Sequence, residues 1–371
     1  MPNVPENPKM WLTAQRPSRI LVKQNKGNFV REMDEPVPEN KFITIKDVAR
    51  HAGVAVSTVS RTLNGLDRVS QSTRDKVMDA VRDLGYTKNN LAVSMITRRT
   101  NVILVMVPDF INSFFSSIIQ GAESYIRKVG YIAMVCAIGN ERRVDFASII
   151  RKYSGMFDGI LLIPTTTDLD SVRMLEKPVV IVDRYLADSG LPSVTVDNVG
   201  GTYKLTKMLL EANHRRIAVL CDESPLNIGE GRLQGYHAAM KEYGVEPVKD
   251  LICRGGLFED FGYKSTVQLM HRPNRPTAIV ACGNLLCTGA ILALNDMGIK
   301  IGEDISLVGF DENILASTLK PGVTVVSGFP VELGSRAAKM LINRIDTPDL
   351  PIEEIVMDVQ VFERESIARL T

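Results

Sequence analysis

From Asn101 onward, short runs of apolar residues alternate with amphipathic helical stretches, and this alternation constrains the fold more than any other feature. Strands that are apolar at every position are typical of parallel sheets covered by helices on both faces. The pattern predicts strands at Val102–Val107, Tyr131–Val135, Gly159–Ile163, Val179–Val182, Ile217–Cys221, Ala278–Ala281 and Ser306–Phe310. It predicts helices at Phe114–Lys128, Thr202–Ala212, Gly231–Tyr243, Leu285–Met297 and Val331–Ile345. This number of strand–helix units is larger than one doubly wound sheet usually contains. We therefore expect two doubly wound lobes with a ligand cleft near the carboxyl ends of the strands.

Upstream of this region, the sequence predicts three short helices. Capping residues and glycines mark their boundaries, at Thr44, Gly53, Gly65, Ser70 or Ser72, and Gly85. Thr44 and Asp47 have the spacing of a capping box. Three short helices with a glycine turn between the first two are typical of a helix-turn-helix domain.

Charge is distributed unevenly along the chain. The formal net charge is only +1, but residues 43–100 hold ten Lys and Arg against five Asp and Glu. Residues 101–371 hold 27 basic against 33 acidic residues. A basic head on an acidic body indicates that the head binds an anion such as nucleic acid and that the body does not.

Several classes of protein are disfavoured. No apolar run reaches the roughly 18 residues of a membrane span, and the first residues lack the pattern of a secretory signal. The five cysteines form no C-x-x-C pair. This pattern indicates buried thiols in a protein of a reducing compartment. We therefore expect a cytoplasmic protein, associated with the nucleoid when bound to DNA, with no membrane partner, metal or cofactor.

The second predicted helix carries the strongest functional signal. Its first residues are small, so the helix could enter the major groove, where Arg61 could make a bidentate contact to a guanine. Ser60, Asn64 and Ser70 suit contacts to phosphates, which set the register on DNA. The alternative is a plain three-helix bundle with no role in DNA binding.

Residues 43–97 resemble the DNA-binding head of the lactose-repressor/galactose-repressor (LacI/GalR) family, and the resemblance extends to about residue 366. Motifs in the body match that family in the same order: Val107–Asp109, Phe114–Phe115, Phe157–Gly159, Pro178–Arg184, Val196–Asn198, Asn213–Ile217, Arg232–Tyr236, Pro276–Ala278 and Val308–Asp311. The resemblance implies a periplasmic-binding-protein-like body, a homodimer, a near-palindromic double-stranded operator and a small-molecule effector between the lobes.

The resemblance also implies two sets of site residues. The DNA-binding set is Thr44, Val56, Ser57, Thr58, Ser60, Arg61, Asn64, Ser70, Thr73, Asn89 and Met95, in which Val56 and Ser57 match the variable base-reading pair. The effector-binding set is Phe114, Phe115, Arg232, Phe258 and Asp311. For the phenylalanines, core packing is the alternative role. For Arg232 and Asp311, the alternatives are a helix-surface arginine and a strand-end cap.

The expected domain organisation has four parts. Residues 1–42 form a disordered arm or a misassigned start, with Met33 as another possible start. Residues 43–88 form the helix-turn-helix domain, and residues 89–98 a hinge helix in which Met95 wedges into the minor groove. Residues 99–371 form the effector-binding and dimerisation domain, with one lobe at about 99–212 plus 328–357 and the other at about 213–327 plus 358–371. A last strand is predicted at Val356–Phe362, and no leucine heptads follow it, so we expect a dimer.

This sequence also departs from the family pattern. Ala55 replaces a usual serine cap, Lys88 a proline and Met95 a leucine of the hinge. Gly283–Asn284 stands where the family usually has Asn-Asp beside the ligand, and Gly328 stands where it often has glutamine. These departures leave the effector open among sugars, sugar acids and nucleosides.

We expect a sequence-specific transcription regulator, acting as a repressor and not as an enzyme. One alternative is a sugar-binding receptor module without a DNA role. A dinucleotide-binding enzyme is disfavoured because Gly229–Gly235 follows no adjoining strand and misses the spacing of the dinucleotide fingerprint.

Overall fold

The computed structural model describes residues 43–65, 69–87, 99–139, 146–165, 177–186, 189–223, 226 and 228–371. The predicted arm and hinge, including Asn89 and Met95, lie outside these residues. The described chain forms two compact units, a head (residues 43–87) and a body (residues 99–371). No helix of the described chain is long and apolar enough to cross a membrane.

The described residues form eleven α-helices in chain order. They are α1 Ile45–Ala52, α2 Val56–Leu63, α3 Gln71–Asp83, α4 Ser113–Lys128, α5 Phe146–Tyr153, α6 Asn198–Glu211, α7 Ile228–Glu242, α8 Glu259–Met270, α9 Asn284–Asp296, α10 Ile314–Thr318 and α11 Pro330–Asp346.

The strands belong to the body. They are β1 Val102–Val107, β2 Ile132–Ala137, β3 Gly159–Leu162, β4 Val179–Asp183, β5 Ser193–Val196, β6 Ile217–Asp222, β7 Ile252–Gly255, β8 Ala278–Ala281, β9 Ser306–Phe310, β10 Thr324–Ser327, β11 Glu354–Met357 and β12 Gln360–Phe362.

In the head, three helices pack around a small apolar core. The core residues are Val48 and Ala49 of α1, Val59 of α2, and Val77 and Ala80 of α3. At the end of α1, Gly53 has a φ of 64°, a left-handed conformation that glycine adopts without steric cost. Helix α2 begins after Ala55 with no side-chain cap, as the departure from the family pattern predicts. The turn and the core together fix α2 against α1 and α3.

The described residues of the body form two six-stranded sheets with the same strand order. The first lobe has the strand order β11-β5-β4-β3-β1-β2, and the second has β12-β10-β9-β8-β6-β7. All pairings are parallel except that of β10 with β12. The prediction of two doubly wound parallel-sheet lobes is therefore confirmed. Short polar strands such as β5 and β10 were not predicted, because serines and threonines interrupt their apolar pattern.

The chain crosses between the lobes three times. The crossings lie between β5 and α6, between β10 and α11, and between β11 and β12. The prediction of a single strand at Val356–Phe362 is therefore wrong, because the chain leaves one sheet at Asp358 and enters the other at Gln360. An apolar run does not show that consecutive residues belong to different sheets.

Helices α4 and α11 of the first lobe pack with their backbones in contact. A Cβ at Gly121 would lie 1.8 Å from the carbonyl oxygen of Val331, and a Cβ at Gly334 would lie 2.0 Å from that of Ile118. Both positions therefore require glycine unless the helices separate.

We expect Gly121→Ala to lower the free energy of unfolding by about 2 kcal/mol, because overpacking outweighs the gain in helix propensity. Urea denaturation measures the effect. Gly155→Ala is the control, since a Cβ there meets nothing within 4 Å. Equal stability of Gly121→Ala and the wild type would contradict the close packing of α4 and α11.

Candidate functional site

A cleft of about 780 Å³ lies between the two lobes of the body. Its walls come from segments that follow β1 and β4 in the first lobe and β6, β7, β8 and β9 in the second. These segments lie at the carboxyl ends of the strands, where parallel sheets place their ligands. The volume is in the range of sites for small organic ligands.

Arg232, on α7, lies at the base of this cleft and is only 3% exposed. Its Nε donates to Oδ1 of Asn198 at 2.8 Å, and its Nη1 donates to the carbonyl of Cys282 at 3.1 Å. Its Nη2 donates to Oδ2 of Asp311 at 3.4 Å, and its guanidinium carbon lies 3.7 Å from the ring centroid of Phe310. Arg232 is therefore not a helix-surface arginine but a side chain held rigidly within the cleft.

Asp311 follows β9 directly and has a φ of 66°. The residue is 5% exposed, and its Oδ1 has no hydrogen-bond partner among the described residues. Burial raises the pKa of Asp311 to about 6, the negative charge of Asp183 also raises it, and the charge of Arg232 opposes the rise. A buried acceptor without a partner is costly, so this oxygen is a candidate for contact with a ligand hydroxyl.

We expect the stability of the body to depend on the titration of Asp311. Its pKa is raised in the folded state, so its contribution to the free energy of unfolding is complete below pH 3.8 and is lost as the pH rises through about 6. The difference is on the order of 3 kcal/mol. Urea denaturation at several pH values should show that the wild type loses stability relative to Asp311→Asn between pH 4 and pH 7. Parallel pH profiles for the two proteins would contradict this.

Two buried polar residues of the first lobe, Asp183 and Arg184, also line the cleft, and neither was predicted from the sequence to belong to the site. Asp183, at the end of β4, has a φ of 68°, and β4 occupies the same position in its sheet as β9 in the other. Burial raises the pKa of Asp183. The signal was present, because Val179–Asp183 and Leu307–Asp311 are both apolar runs that end in an aspartate.

Arg184 follows Asp183 and is also buried. Its Nη1 donates to the carbonyl of Pro164 at 2.7 Å, and its guanidinium carbon lies 5.8 Å from the ring centroid of Phe115. Its Nε is buried without a hydrogen-bond partner among the described residues. The first lobe therefore offers a donor that makes no hydrogen bond, although it lies 3.9 Å from Oδ2 of Asp183, while the second lobe offers the acceptor Oδ1 of Asp311.

The three predicted aromatic residues all line the cleft. Phe114 and Phe115 begin α4 and belong to the apolar core, with ring centroids 5.7 Å apart in an edge-on arrangement. They therefore combine core packing with a cleft wall. Phe258 precedes α8 in the second lobe and is 52% exposed, so it is available to a ligand rather than packed in the core.

In the head, α2 presents one polar face. Its buried side is formed by Val59 and Thr62. The predicted DNA-binding residues on the opposite side are Val56, Ser57, Ser60, Arg61 and Asn64, all exposed except the half-buried Ser60, whereas Thr58 lies half-buried between the two faces.

The remaining head residues of this set lie at helix starts. Ser70 precedes α3, where its Oγ accepts from the backbone N–H of Thr73 at 3.4 Å and lies 2.8 Å from Oγ1 of Thr73. Thr44 precedes α1, and its N–H and hydroxyl both donate to Oδ2 of Asp47, at 3.0 and 2.7 Å. Side-chain hydrogen bonds therefore stabilise the starts of both helices, and Thr44 and Ser70 are exposed.

The glycines near Arg232 have a packing role. A Cβ at Gly229 would lie 2.1 Å from the carbonyl oxygen of Asp222, and a Cβ at Gly235 would lie 2.2 Å from that of Val199. The near match of this segment to a dinucleotide fingerprint therefore reflects the close approach of α7 to β6 and α6.

These features define a class of protein in which a helix-turn-helix head is joined to a two-lobed body of the periplasmic-binding-protein type. Residues 44–89 match the family described as "Bacterial regulatory proteins, lacI family", and residues 206–367 match the periplasmic binding protein-like domain. The chain is similar to the HTH-type transcriptional regulator RegA of Clostridium saccharobutylicum, with 32% identity over 329 residues that cover 87% of this chain and 98% of RegA.

Solved structures agree with this assignment. A complex of the transcriptional regulator CelR with cellobiose has a TM-score of 0.67 and 28% identity, covering 87% of this chain and 99% of that one. A lac repressor dimer bound to operator has the same fold, with a TM-score of 0.79 at 23% identity, covering 88% of this chain and all of that one. The chain belongs to the lacI family of bacterial regulatory proteins. It is a DNA-binding transcription regulator with an effector-binding body.

Proposed function

We propose that this protein is a homodimeric repressor whose heads bind the two halves of a near-palindromic operator in the cytoplasm, at the nucleoid. Its cleft binds a small polar metabolite and releases it unchanged. Effector binding alters the orientation of the lobes and thereby the affinity for DNA, which requires that the effector bind the two arrangements with different affinities.

The observation that carries this proposal is the pair of unused polar atoms on opposite walls of the cleft. The Nε of Arg184 in the first lobe and the Oδ1 of Asp311 in the second are both buried without a hydrogen-bond partner among the described residues. A polyhydroxylated ligand accepts from one and donates to the other. Such a ligand joins the lobes and so favours one of their arrangements.

The charges that line the cleft narrow the class of effector. Among the described residues, five carboxylates face it, those of Asp109, Asp183, Asp222, Glu223 and Asp311, against two guanidinium groups. Each arginine lies within 4 Å of an aspartate of its own lobe, so neither is an unengaged anion receptor. An additional anion would meet net repulsion at short range. The sequence left sugars, sugar acids and nucleosides as candidate effectors. Repulsion of anions by the cleft favours the neutral candidates, which are sugars and nucleosides.

The apolar residues suit the same ligands. Phe114, Phe115 and Phe258 offer ring surfaces beside the polar base of the cleft. The similar CelR structure holds cellobiose, a neutral saccharide. We propose Phe114, Phe115, Arg232, Phe258 and Asp311 as effector contacts, and add Asp183 and Arg184.

For DNA binding, we propose that α2 enters the major groove and that Arg61 reads a guanine. Val56 and Ser57 read neighbouring bases, while Thr44, Thr58, Ser60, Asn64, Ser70 and Thr73 set the register. Asn89 and Met95 of the hinge complete the set, with Met95 as an apolar wedge in the minor groove.

The class of effector can be tested with charge-matched pairs of compounds. We expect neutral glycosides and nucleosides to raise the melting temperature of the full chain, whereas the corresponding uronic acids and phosphates bind at least about tenfold more weakly. Calorimetry measures each pair. Tighter binding of the anionic member of a pair would contradict the charge argument.

Selection of DNA from a random pool by the full chain tests the proposed function as a whole. We expect enrichment of near-palindromic sites and a change in their affinity when a compound that binds the cleft is added. A compound that stabilises the protein without changing DNA affinity would support the receptor alternative. Failure to enrich any sequence would overturn the proposed role in DNA binding.

A further inference from the structure

The side chains of Asn284 and Asn112 join the two walls of the cleft directly. The Nδ2 of Asn284, at the start of α9 in the second lobe, donates to Oδ1 of Asn112 at 2.7 Å. Asn112 lies immediately before α4 in the first lobe. The reciprocal contact, from Nδ2 of Asn112 to Oδ1 of Asn284, measures 3.5 Å and is much weaker.

Backbone groups fix the orientation of both amides. Oδ1 of Asn112 accepts from the N–H of Phe114 at 3.0 Å, because Asn112 caps α4. Oδ1 of Asn284 accepts from the N–H of Leu285 at 2.9 Å. With both oxygens held by backbone donors, the NH₂ group of Asn284 faces the first lobe. The backbone carbonyl of Asn284 accepts from Nδ2 of Asn313 at 3.4 Å, and this bond further anchors Asn284.

The direction of this bond depends on asparagine at position 284. An aspartate there would accept from Leu285 equally well, but it has no hydrogen to donate to Asn112. An aspartate oxygen would then face Oδ1 of Asn112, and only the longer contact from Nδ2 of Asn112 would remain. Asn284 is also one of the residues at which this chain departs from the usual pattern of the lacI family. The departure therefore supplies the donor of the shorter hydrogen bond between the lobes.

We propose that Asn112 and Asn284 form an interlobe clasp, which stabilises the closed arrangement of the lobes before any effector binds. Asn284 is 6% exposed, so the bond is largely shielded from competing water. The three crossings between the lobes are the segments about which closure occurs. The clasp raises the population of the closed arrangement and so raises the apparent affinity for an effector that binds it.

The two asparagines allow a matched test, because the same substitution has opposite consequences at the two positions. Asn284→Asp removes the donor of the 2.7 Å bond and leaves only the 3.5 Å contact from Nδ2 of Asn112, so it weakens the clasp. Asn112→Asp adds the same charge to the cleft, but its carboxylate still accepts from both Phe114 and Asn284. The size of the side chain is unchanged in both variants.

The lobe arrangement is measured by single-molecule energy transfer, with dyes on unnatural amino acids at the exposed positions Lys128 and Lys241. Each labelled full chain is diluted with unlabelled chain, so that distances are measured within one protomer. Neither DNA nor effector is present. We expect Asn284→Asp to raise the ratio of open to closed molecules about two- to tenfold, the range for loss of one hydrogen bond, and Asn112→Asp to leave it near the wild-type value.

Asn284→Ser is a second variant that weakens the clasp, because serine accepts from Leu285 but is too short to reach Asn112. The clasp is refuted if the two variants at position 284 match the wild type, or if Asn112→Asp opens the lobes as much as Asn284→Asp does. The inference rests on the proposed function only in treating the cleft as a binding site. Since the measurement uses no ligand, failure to find an effector would count against the proposed function and not against the clasp.

Discussion

Replacement of Arg232 with alanine is expected to weaken effector binding at least about 100-fold while operator binding persists. Arg232 is held by Asn198, Cys282 and Asp311, so its guanidinium group has a fixed position in the cleft. Its loss leaves Asp311 buried without a counter-charge. Truncation of one member of a buried pair costs roughly 3–5 kcal/mol, part of which Asp311 relieves by binding a proton. Calorimetry with a bound glycoside or nucleoside and an operator gel shift measure the two activities.

Arg254→Ala is the matched control for this prediction. Arg254 also belongs to the second lobe and pairs with Glu230 at 3.4 Å, but its side chain is 42% exposed. An exposed pair of this kind contributes little, so effector affinity should stay within about threefold of the wild type. Full effector affinity in Arg232→Ala would show that the effector site has been assigned to the wrong residue.

Replacement of Arg61 with alanine is expected to weaken binding to the selected operator by about 1–3 kcal/mol, and to relax the preference at one base of each half-site. Arg61 lies on the exposed face of α2, opposite Val59 and Thr62, so its loss does not disturb the core of the head. Selection from a random DNA pool measures the change in preference, and titration with the wild-type site measures the change in affinity.

Arg82→Ala removes the same charge from α3 and serves as the control. Its pairing with Asp79 on the same helix is exposed, so no loss of base preference is expected. If Arg61→Ala weakened all sequences alike, as loss of a phosphate contact does, the base-reading role of Arg61 would be wrong.

The sequence predicted those parts of the fold that depend on local pattern. Apolar runs such as Val102–Val107 and Ala278–Ala281 have the predicted bounds, because residues buried on both faces leave an unambiguous signal. The end of the chain shows the limit of such reasoning. Residues 356–362 look like one strand, yet they divide between two sheets. That division is decided by packing against distant strands and not by local composition.

The candidate site shows the same limit. Arg232 and Asp311 were predicted from their motifs, whereas Arg184, the last residue of the motif Pro178–Arg184, was recognised as a cleft residue only from the fold. Gly283–Asn284 was recognised from the sequence as unusual. Its partner Asn112 lies 172 residues away, and only the folded chain shows that the two amides meet. The unusual residue Asn284 does not by itself identify the residue that it contacts across the cleft.

The three crossings between the lobes have a consequence for the order in which the protein is completed during synthesis. Domains generally fold as units while the chain emerges from the ribosome. Here the first lobe begins to form early, but its covering helix α11 and edge strand β11 follow nearly all of the second lobe in the chain. The second lobe in turn receives β12 only after β11. If a ribosome stalled before Pro330, both lobes would therefore be incomplete. Helix α11 would be missing, so the face of α4 against which it packs would still be exposed. The two lobes become complete almost together, between Pro330 and Phe362.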